Sequence, residues 1–574
     1  LVAVFLPIAF LPSTAGKLFR EFGSVLAGTV IISSFVALTL VPALKAKIGH
    51  SAKETSLVHT RAVGTKIVEA YGRSLKFCIK YGWLILLLSI FAAGGAMLLY
   101  TNIDKELVPK EDRGSIRVIA RGPDGVGISY MDRQAEFMED ILLPYAELGD
   151  IDSIRTVVGP WDPNVVLMNI KLKDWAERSN SQQKIIREIR PQLAAVPGAP
   201  GRASGGNSLN LRGRGGGFEF AITGNDYEEI YTVAQGFSKA IESNHPEFGQ
   251  VEISYQPTQP QMRVHIDRNR AEELGVPFSD INQTLRAAIG GDDLTDLNVG
   301  DKAIPIILQS SYKDSANPSD LTNLYVEAKN GDLVSLSSIA YISEEGVAAE
   351  LERHAQRRAI EMDAELPESI PMATAVNMLR SLAQEHLPNG FDLIFLGEAK
   401  TYQETDRQVT MTYLVAFLIV LLVLAAQFES ATSALVVMLT VPFGIAAAIF
   451  AVWLTGTTIN IYSQIGLVML IGLLAKNSIL LVEFADQLRD RGVDIKEAIV
   501  ESGKVRLRPI MMTLLSTVLG GLPLILSSGA GAEARNAIGW VVFGGLGIAV
   551  VFTLFLTPVL YVWLARFSKP RADQ

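Results

Sequence analysis

A lysine near the middle of a long apolar segment has the clearest potential for chemistry in this sequence. Lys476 lies in the segment 465–485, eleven residues from one end and nine from the other. A charge at mid-bilayer costs at least ~2.5 kcal/mol. The side chain reaches about 6 Å, whereas the interface lies about 15 Å away. We therefore predict that Lys476 is paired and functional, with a purely structural buried lysine as the alternative.

The carboxylate expected to pair with Lys476 is not evident in the sequence. No Asp or Glu falls at mid-span, and Glu483 shares the helical face of Lys476 but sits about 10 Å further along the axis. The partner is therefore expected in a segment outside this sequence. A carboxylate that binds and releases H⁺ would break and restore its attraction to the lysine, which makes a proton-driven switch.

Other polar residues of the apolar segments can join Lys476. Asn477 and Ser478 follow it directly, and Arg506 and Thr513 are seven residues apart on the next predicted helix. A helix-to-helix contact explains Thr513 about equally well. A role as a positively charged anchor on the cytoplasmic side explains Arg506 equally well.

Two features of the polar part of the chain also stand out. A loop with the sequence Gly159-Pro-Trp161-Asp-Pro-Asn164 separates two predicted strands, and Phe218 and Phe220 lie in a third. Because strand side chains alternate, the two phenylalanines should share one side; core packing is the simpler explanation for them. The Gly-rich stretch 199–217 lacks the order of a phosphate-binding loop.

Composition sets the frame for these residues. The chain has 574 residues, of which 49% are hydrophobic and 19% charged, with a mean hydropathy of +0.27. This excludes disordered, collagen-like and disulfide-stapled classes, and the net charge of -9 argues against a nucleic-acid partner. A membrane span needs about 20 apolar residues. Seven stretches qualify: 24–44, 81–100, 408–427, 434–454, 465–485, 509–527 and 538–563.

Charge indicates the orientation of these spans. Residues 45–80 carry eight Lys or Arg against two acids, which is typical of a cytoplasmic segment. Alternation then places 101–405 on the far side and 486–508 in the cytoplasm. Within the first loop, 57–76 is interpreted either as an amphipathic helix on the membrane surface or as a solvated linker.

An internal repeat links the two ends of the chain. Residues 6–44 align without a gap to 522–560, with Pro7, Gly23, Gly28 and Pro42 in register. Transporters are often built from such repeats. We therefore expect 1–48 to close a first repeat and 49–566 to form a second. Leu1 begins inside an apolar run, so a longer protein is expected.

The segment 101–405 alternates predicted strands and helices, which favours α/β sandwiches with helices on one sheet face. The clearest strand is 262–266: Met262, Val264 and Ile266 should be buried and the residues between them wet. A further inserted unit is predicted at 276–350.

Four motifs complete the pattern. They are Gly472-Leu-Leu-Ala-Lys476-Asn477-Ser-Ile-Leu-Leu-Val-Glu483-Phe484-Ala, Arg506-Leu-Arg-Pro509-Ile-Met-Met-Thr513, Leu172-Lys-Asp-Trp175-Ala-Glu-Arg and Leu274-Gly-Val-Pro-Phe-Ser-Asp-Ile-Asn282. With them the chain resembles the resistance-nodulation-division (RND) transporters, in the hydrophobe/amphiphile multidrug efflux branch.

The resemblance implies a multi-pass α-helical protein of the bacterial inner membrane, with seven spans plus a remnant and a periplasmic α/β insert of ferredoxin-like pore subdomains and a docking subdomain. It also implies a homotrimer that works with a periplasmic adaptor and an outer-membrane channel, without cofactors and driven by the proton-motive force. The implied ranges are 1–48 (end of the first repeat), 49–80 (cytoplasmic linker), 81–100 (span), 101–265 (pore), 266–352 (docking), 353–405 (return to the pore), 406–566 (five spans) and 567–574 (tail).

The resemblance also assigns residues. Lys476, Arg506 and Thr513 correspond to a proton relay that works with two aspartates on a helix outside this sequence, and Asn477 is included in the predicted relay as the polar neighbour of Lys476. Phe218 and Phe220 correspond to drug-pocket aromatics, and 159–164 to a flexible loop between pockets. That loop departs from the family pattern because Trp161 stands near two prolines, where the family has a glycine- and phenylalanine-rich sequence.

Two other functions are compatible with parts of the sequence. The heavy-metal branch of the same superfamily would use clustered methionines, but those of the insert are dispersed in sequence. A membrane-anchored enzyme or receptor is the other class. Its sequence support is poor, because the six histidines show no metal-ligand spacing and no nucleophile elbow occurs.

Overall fold

The computed structural model describes residues 2, 14–48, 58–206, 217–309, 323–367 and 369–567. The chain divides into two compact units. The first comprises Leu1–Arg121, Ile128–Ile253 and Glu352–Gln574, and the second comprises Gly122–Gly127 and Ser254–Leu351. The described helices and strands are numbered here in chain order as α1–α15 and β1–β15.

Long apolar helices form the larger part of the first unit. They are α1 (Thr14–Ile48), α3 (Gly82–Asn102), α10 (Gly397–Phe428), α11 (Ala431–Thr455), α12 (Ile461–Arg489), α13 (Ile495–Ile525), α14 (Ala532–Val551) and α15 (Thr557–Leu564). Seven segments of the described residues are long and apolar enough to cross a membrane, the last running from Ala532 to Phe567 through α14 and α15. Each overlaps a span predicted from the sequence.

Helices α11 and α12 form the centre of this bundle. In the most apolar stretch of 18 residues, 67% of the residues of α11 and 72% of those of α12 are buried, whereas only 6% are buried in the corresponding stretch of Arg20–Lys47. Glycines let the central helices approach closely: a Cβ on Gly544 would lie 2.4 Å from Cβ of Ala451, and one on Gly466 would lie 3.0 Å from Val541. Small residues at such crossings are typical of helix packing in membranes.

The predicted cytoplasmic linker contains a helix, α2 (Val58–Lys80). Tyr71 and Leu75 on this helix are buried against the bundle. The Tyr71 hydroxyl donates a hydrogen bond of 2.8 Å to the carbonyl of Leu554, which lies in a π-helical segment, Phe552–Leu556. Such a segment leaves the regular hydrogen-bond ladder, so an outside donor is readily accommodated. The segment is therefore helical over 58–80, and its position at a membrane surface stays a prediction.

The first sheet follows α3. Its elements are β1 (Ser115–Arg121), α4 (Ile128–Glu147), β2 (Ile151–Val158), β3 (Val165–Leu172), α5 (Gln182–Ala194) and β4 (Gly201–Gly205). The strands are antiparallel in the order β2-β3-β1-β4, which is the βαββαβ arrangement of ferredoxin-like folds. Alternate residues of β1 are buried, among them Ile116 and Val118, beneath the apolar faces of the two helices.

A second sheet of the same unit is assembled from distant segments. Its strands are β5 (Phe218–Gly224), β6 (Glu252–Ile253), β13 (Glu352–His354), β14 (Arg357–Ala364) and β15 (Asp392–Phe395), and its helices are α6 (Tyr227–Asn244) and α9 (Met372–His386). The main order is β13-β14-β5-β15, with β6 also paired to β14. Both helices bury an apolar stripe, and Phe237 and Leu379 belong to it.

The second unit has its own small core. It contains β7 (Gln259–Ile266), α7 (Arg268–Glu273), α8 (Phe278–Ile289), β8 (Asp292–Val299), β9 (Lys302–Leu308), β10 (Tyr325–Glu327), β11 (Leu333–Ser335) and β12 (Ala340–Val347). Ile281, Val326 and Leu336 lie at its centre. The predicted range 266–352 covers most of this unit, and the predicted range 276–350 lies inside it.

One expectation for this unit is wrong in detail. Strand β7 exists, and Val264 and Ile266 pack against the core, but Met262 is 44% exposed. His265 is half-buried instead of wet, because its ring stacks on Tyr341 at 4.6 Å. The reason is that, among the described residues, β7 pairs with β12 alone in a two-stranded sheet, which has no complete buried face.

Candidate functional site

Lys476 lies near the middle of α12, between the buried residues Ala475 and Asn477, and its own side chain is exposed. Within the part of the chain that the structure describes, no carboxylate lies within ion-pair distance of it. The charged end therefore faces a surface that the described residues leave uncovered, at the depth where an apolar helix meets lipid or another protein segment.

The polar residues beside Lys476 point into the bundle. Ser478 is fully buried, and its hydroxyl lies 3.1 Å from that of Thr440 on α11 and 3.3 Å from that of Thr557 on α15. Three hydroxyls thus share hydrogen bonds where water is excluded, which is how polar groups join helices in an apolar medium. Asn477 is also buried, so α12 presents a polar stripe towards its neighbours and a charge on its open side.

Arg506 and Thr513 lie on α13, which packs beside α12. The Ser502 hydroxyl donates to the carbonyl of Leu481 at 2.7 Å and sets the relative level of the two helices. Counting along both helices from this contact places the backbone of Arg506 near the depth of Lys476. The backbone of Thr513 lies about 9 Å from the depth of Lys476, towards the C-terminal end of α13. The Arg506 guanidinium lies over the ring of Phe484, 4.7 Å from its centre, and the Thr513 hydroxyl donates to the carbonyl of Ile510 at 3.0 Å.

A buried charged cluster near the end of α12 was missed by the sequence analysis. Asp486 accepts hydrogen bonds from the hydroxyls of Tyr561, at 2.6 Å, and Ser433, at 2.8 Å. Arg489 lies 3.9 Å from the same carboxylate and also donates to the carbonyl of Ala565. The three-residue spacing of Asp486 and Arg489 could have indicated an ion pair on one helix face. Their other partners are distant in sequence, so the whole cluster could not be predicted. The cluster ties three helices together.

The two phenylalanines predicted to share a side of one strand do so. The rings of Phe218 and Phe220 are 6.0 Å apart, and both are fully buried in the core of the second sheet. Phe248 and Phe395 lie 6.0 and 5.8 Å from Phe218. This placement matches the core-packing alternative: in the described conformation neither ring is open to a ligand.

Trp161 is placed differently. It lies in the connection between β2 and β3 and is 65% exposed. The loop is held at its base, where the amide of Gly159 donates to the carbonyl of Val165 at 2.8 Å, and the amide of Val165 donates to that of Asp162 at 3.1 Å. Gly159 has φ +68, a conformation that favours glycine. A closed loop therefore presents one large aromatic ring to solvent.

Ion pairs join the two sheets of the first unit. Arg202 on β4 lies 2.7 Å from the carboxylate of Asp363 on β14 and 3.3 Å from that of Glu252 on β6, and Arg190 on α5 lies 2.9 Å from Glu365. Burial raises the pKa of Asp363 to about 7, against the opposing effect of Arg202. The contact between the sheets is thus electrostatic and contains a carboxyl group that titrates near neutral pH.

One histidine lies in a group of potential metal ligands. Sequence spacing gave no metal-ligand pattern, yet the β13–β14 hairpin brings Glu352, His354 and Glu361 together, with their ligand atoms within 4.8 Å of one another. Strand pairing, which short-range spacing does not show, creates this arrangement.

Within the described residues, seven segments are long and apolar enough to cross a membrane, a lysine lies at the middle of one of them, and α/β segments lie in sequence between α3 and α10. This is the arrangement of a multi-pass membrane protein with a large insert outside the spans. The sequence profile of the AcrB/AcrD/AcrF family matches residues 1–565. The chain therefore belongs to this family of RND permeases.

Individual relatives agree with this assignment. An uncharacterized transporter of Haemophilus influenzae is 31% identical over 99% of this chain and 56% of its own length. The multidrug resistance protein MdtF of Escherichia coli is 31% identical over 99% of this chain and 57% of its own length. The multidrug resistance protein MdtC of Proteus mirabilis is 28% identical over 98% of this chain and 55% of its own length. The chain spans a little over half the length of the curated relatives it matches.

Proposed function

We propose that this chain is part of a proton-driven exporter of hydrophobic and amphiphilic compounds, such as drugs, detergents and bile-salt-like molecules, across the bacterial inner membrane. The observation that carries the proposal is Lys476. It is a cation at mid-helix with an exposed side chain and no described carboxylate beside it.

An isolated lysine at that depth is unstable. The cost of at least ~2.5 kcal/mol falls when the ammonium meets a carboxylate. The open side of α12 therefore faces a helix that carries such a group, in a segment outside this chain. The helix Arg20–Lys47 also has an uncovered apolar surface, because only 6% of its most apolar stretch is buried. This surface supports the proposal that further helices pack on the bundle.

The relay follows from charge-pair physics. With the carboxylate ionised, Lys476 is attracted to it and the helices are drawn together; when the carboxylate binds H⁺, the attraction is lost and the helices relax. Asn477 lies directly beside Lys476 and supplies a further hydrogen-bond donor. The backbone of Arg506 lies near the same depth, but its guanidinium lies over the ring of Phe484, further along α12. Thr513 is half-buried further along α13, and its hydroxyl, which now donates to the carbonyl of Ile510, can relay a proton by exchanging this hydrogen bond.

The substrate path is assigned to the α/β part of the chain. We assign 101–265 and 353–405 to a periplasmic pore region and 266–352 to a docking region for an adaptor and an outer-membrane channel, in a homotrimer. Trp161 offers an exposed aromatic surface to an amphiphile. Phe218 and Phe220 lie on the face of β5 opposite Asp363, where Phe220 packs against Phe237 of α6, so they can contact substrate only if that packed face opens.

The heavy-metal alternative receives less support from the structure. Soft-metal transport needs thioether groups around an accessible site. Met131, Met138, Met168 and Met362 are instead buried in the apolar cores of the two sheets.

Proton coupling can be measured directly. The full-length protein is reconstituted in vesicles that contain a pH-sensitive dye and carry a proton gradient. When an amphiphilic substrate is added, protons should move through the protein down this gradient, and the internal dye should report the change in pH. Substrate transport without any proton movement would contradict the proposal. Neither transport nor proton flux would favour the receptor or enzyme class.

A further inference from the structure

The hairpin formed by β13 and β14 carries a cluster of potential metal ligands. In its register Glu352 faces Ala359, and His354 faces Arg357. Paired residues point to the same face of a sheet, and residues two apart on one strand do so as well. Glu352, His354 and Glu361 therefore share one face, grouped around Ala359, whose methyl group leaves space between them.

Distances place the three side chains within reach of a single ion. Nε2 of His354 lies 2.8 Å from Oε1 of Glu361. One ligand atom from each residue lies within 4.8 Å of the others, and all three residues are partly buried. Zinc binds His nitrogen and carboxylate oxygen at about 2.0–2.2 Å, so its ligands stand roughly 3–4 Å apart. Small side-chain rotations meet this requirement.

The surrounding backbone is held in place. The hydroxyl of Tyr227 donates to the carbonyl of Glu352 at 2.7 Å. The turn residues Ala355 and Gln356 have φ values of 50 and 68, as a tight two-residue hairpin requires. The two arginines of β14 are engaged elsewhere: Arg357 pairs with Asp392, and Arg358 pairs with Asp226 at 3.1 Å.

The cluster is also accessible. His354 is among the residues that line a cleft of about 730 Å³, together with Arg380 and Lys400. The cleft gives the cluster a route to solvent, and a zinc ion with three protein ligands would take water as its fourth ligand.

We propose that Glu352, His354 and Glu361 bind one divalent cation of the zinc type. Nitrogen and carboxylate ligands suit zinc better than calcium or magnesium, which prefer oxygen alone. The bound ion would fix the edge strand β13 to β14 and so stabilise the hairpin. This site is separate from the proton relay and does not depend on the transport proposal.

Zinc titration tests this proposal. The full chain, purified in detergent without a histidine tag, is titrated with Zn²⁺ against a chromophoric chelator, and Co²⁺ absorption reports the coordination. We expect one ion per chain and a loss of affinity of about 10-fold or more in His354→Gln and in Glu361→Gln. Two variants on different strands are used because either one alone could disturb folding, which size-exclusion chromatography monitors.

His245→Gln is the matched control. His245 also lies beside a carboxylate, Glu247 at 3.3 Å, but is not part of the three-residue cluster, so zinc binding should be unchanged. Equal zinc affinity in wild type, His354→Gln and Glu361→Gln would overturn the proposal, as would the absence of binding in the wild type. The contact between His354 and Glu361 would then be an ion pair that closes the hairpin.

Discussion

The guanidinium of Arg202 lies 2.7 Å from Oδ2 of Asp363 and connects a strand of the first sheet to a strand of the second. The same guanidinium also donates to the backbone carbonyl of Asp363 at 3.3 Å. Arg202 thus holds both the side chain and the strand. An ion pair is suited to a contact that has to open and close, because its strength changes when its carboxyl group is protonated.

Asp363 should make stability depend on pH. Its pKa is raised from 3.8 to about 7 by burial. The unfolded chain releases this proton at lower pH than the folded chain. The protonated carboxyl of Asp363 therefore contributes to the free energy of unfolding. This contribution is complete below about pH 4 and is lost as the pH rises through about 7. The change is at most on the order of 4 kcal/mol.

We predict that Asp363→Asn flattens the pH dependence of the melting temperature of the detergent-solubilised protein between pH 4 and 7. Asp152→Asn serves as the control, because Asp152 is an exposed carboxylate paired with Lys171 at 2.8 Å. An unchanged slope in Asp363→Asn would show that this carboxyl group titrates normally.

Phe220 should matter for folding. Its ring is fully buried against Phe218 and Phe237. Phe220→Ala is expected to cost about 3–5 kcal/mol, because it leaves a cavity in a packed core. Denaturant unfolding and resistance to proteolysis measure this loss. A variant as stable as wild type, with altered drug selectivity alone, would favour an accessible pocket instead.

Trp161 should show the reverse pattern. Its side chain is largely exposed, so Trp161→Ala should change stability by less than about 0.5 kcal/mol. If the ring contacts amphiphilic substrates, the export of large aromatic compounds should fall several-fold in drug-susceptibility assays. Trp161→Phe retains an aromatic surface and should therefore retain most of the export. Equal export by all three proteins would remove Trp161 from the substrate path.

Gly544 should tolerate no side chain. An added Cβ would lie 2.4 Å from Cβ of Ala451, an atom fixed to the backbone of α11. Gly544→Ala should therefore force the two helices apart and cost about 1–3 kcal/mol. Gly547→Ala on the same helix is the control, because no atom lies within 4 Å of its added Cβ. Comparable melting temperatures of the two variants would contradict the packing described here.

The success of sequence reasoning depended on the range of the contacts involved. The strand predicted at 262–266 is present within β7, Gln259–Ile266, because its alternating pattern is local. The position of Lys476 in a long helix also follows from local hydropathy. The contact of Asp486 with Tyr561 joins residues 75 apart, and no local pattern specifies it.

The histidine cluster shows the same limit. Glu352 lies two residues from His354 on the same strand, but Glu361 approaches His354 only because of the register of β13 and β14. The interpretation of Phe218 and Phe220 differed for another reason. Period two correctly placed them on one side of a strand, but it does not show whether that side faces a pocket or the core.

The most direct test of the relay is drug export by Lys476→Ala in the full-length protein. Export into the medium and expression level are measured in parallel with Lys496→Ala, a lysine removed from an exposed position in the first turn of α13. We expect Lys476→Ala to abolish proton-coupled export at normal expression, and Lys496→Ala to retain it. Undiminished export by Lys476→Ala would contradict the assignment of Lys476 to proton coupling.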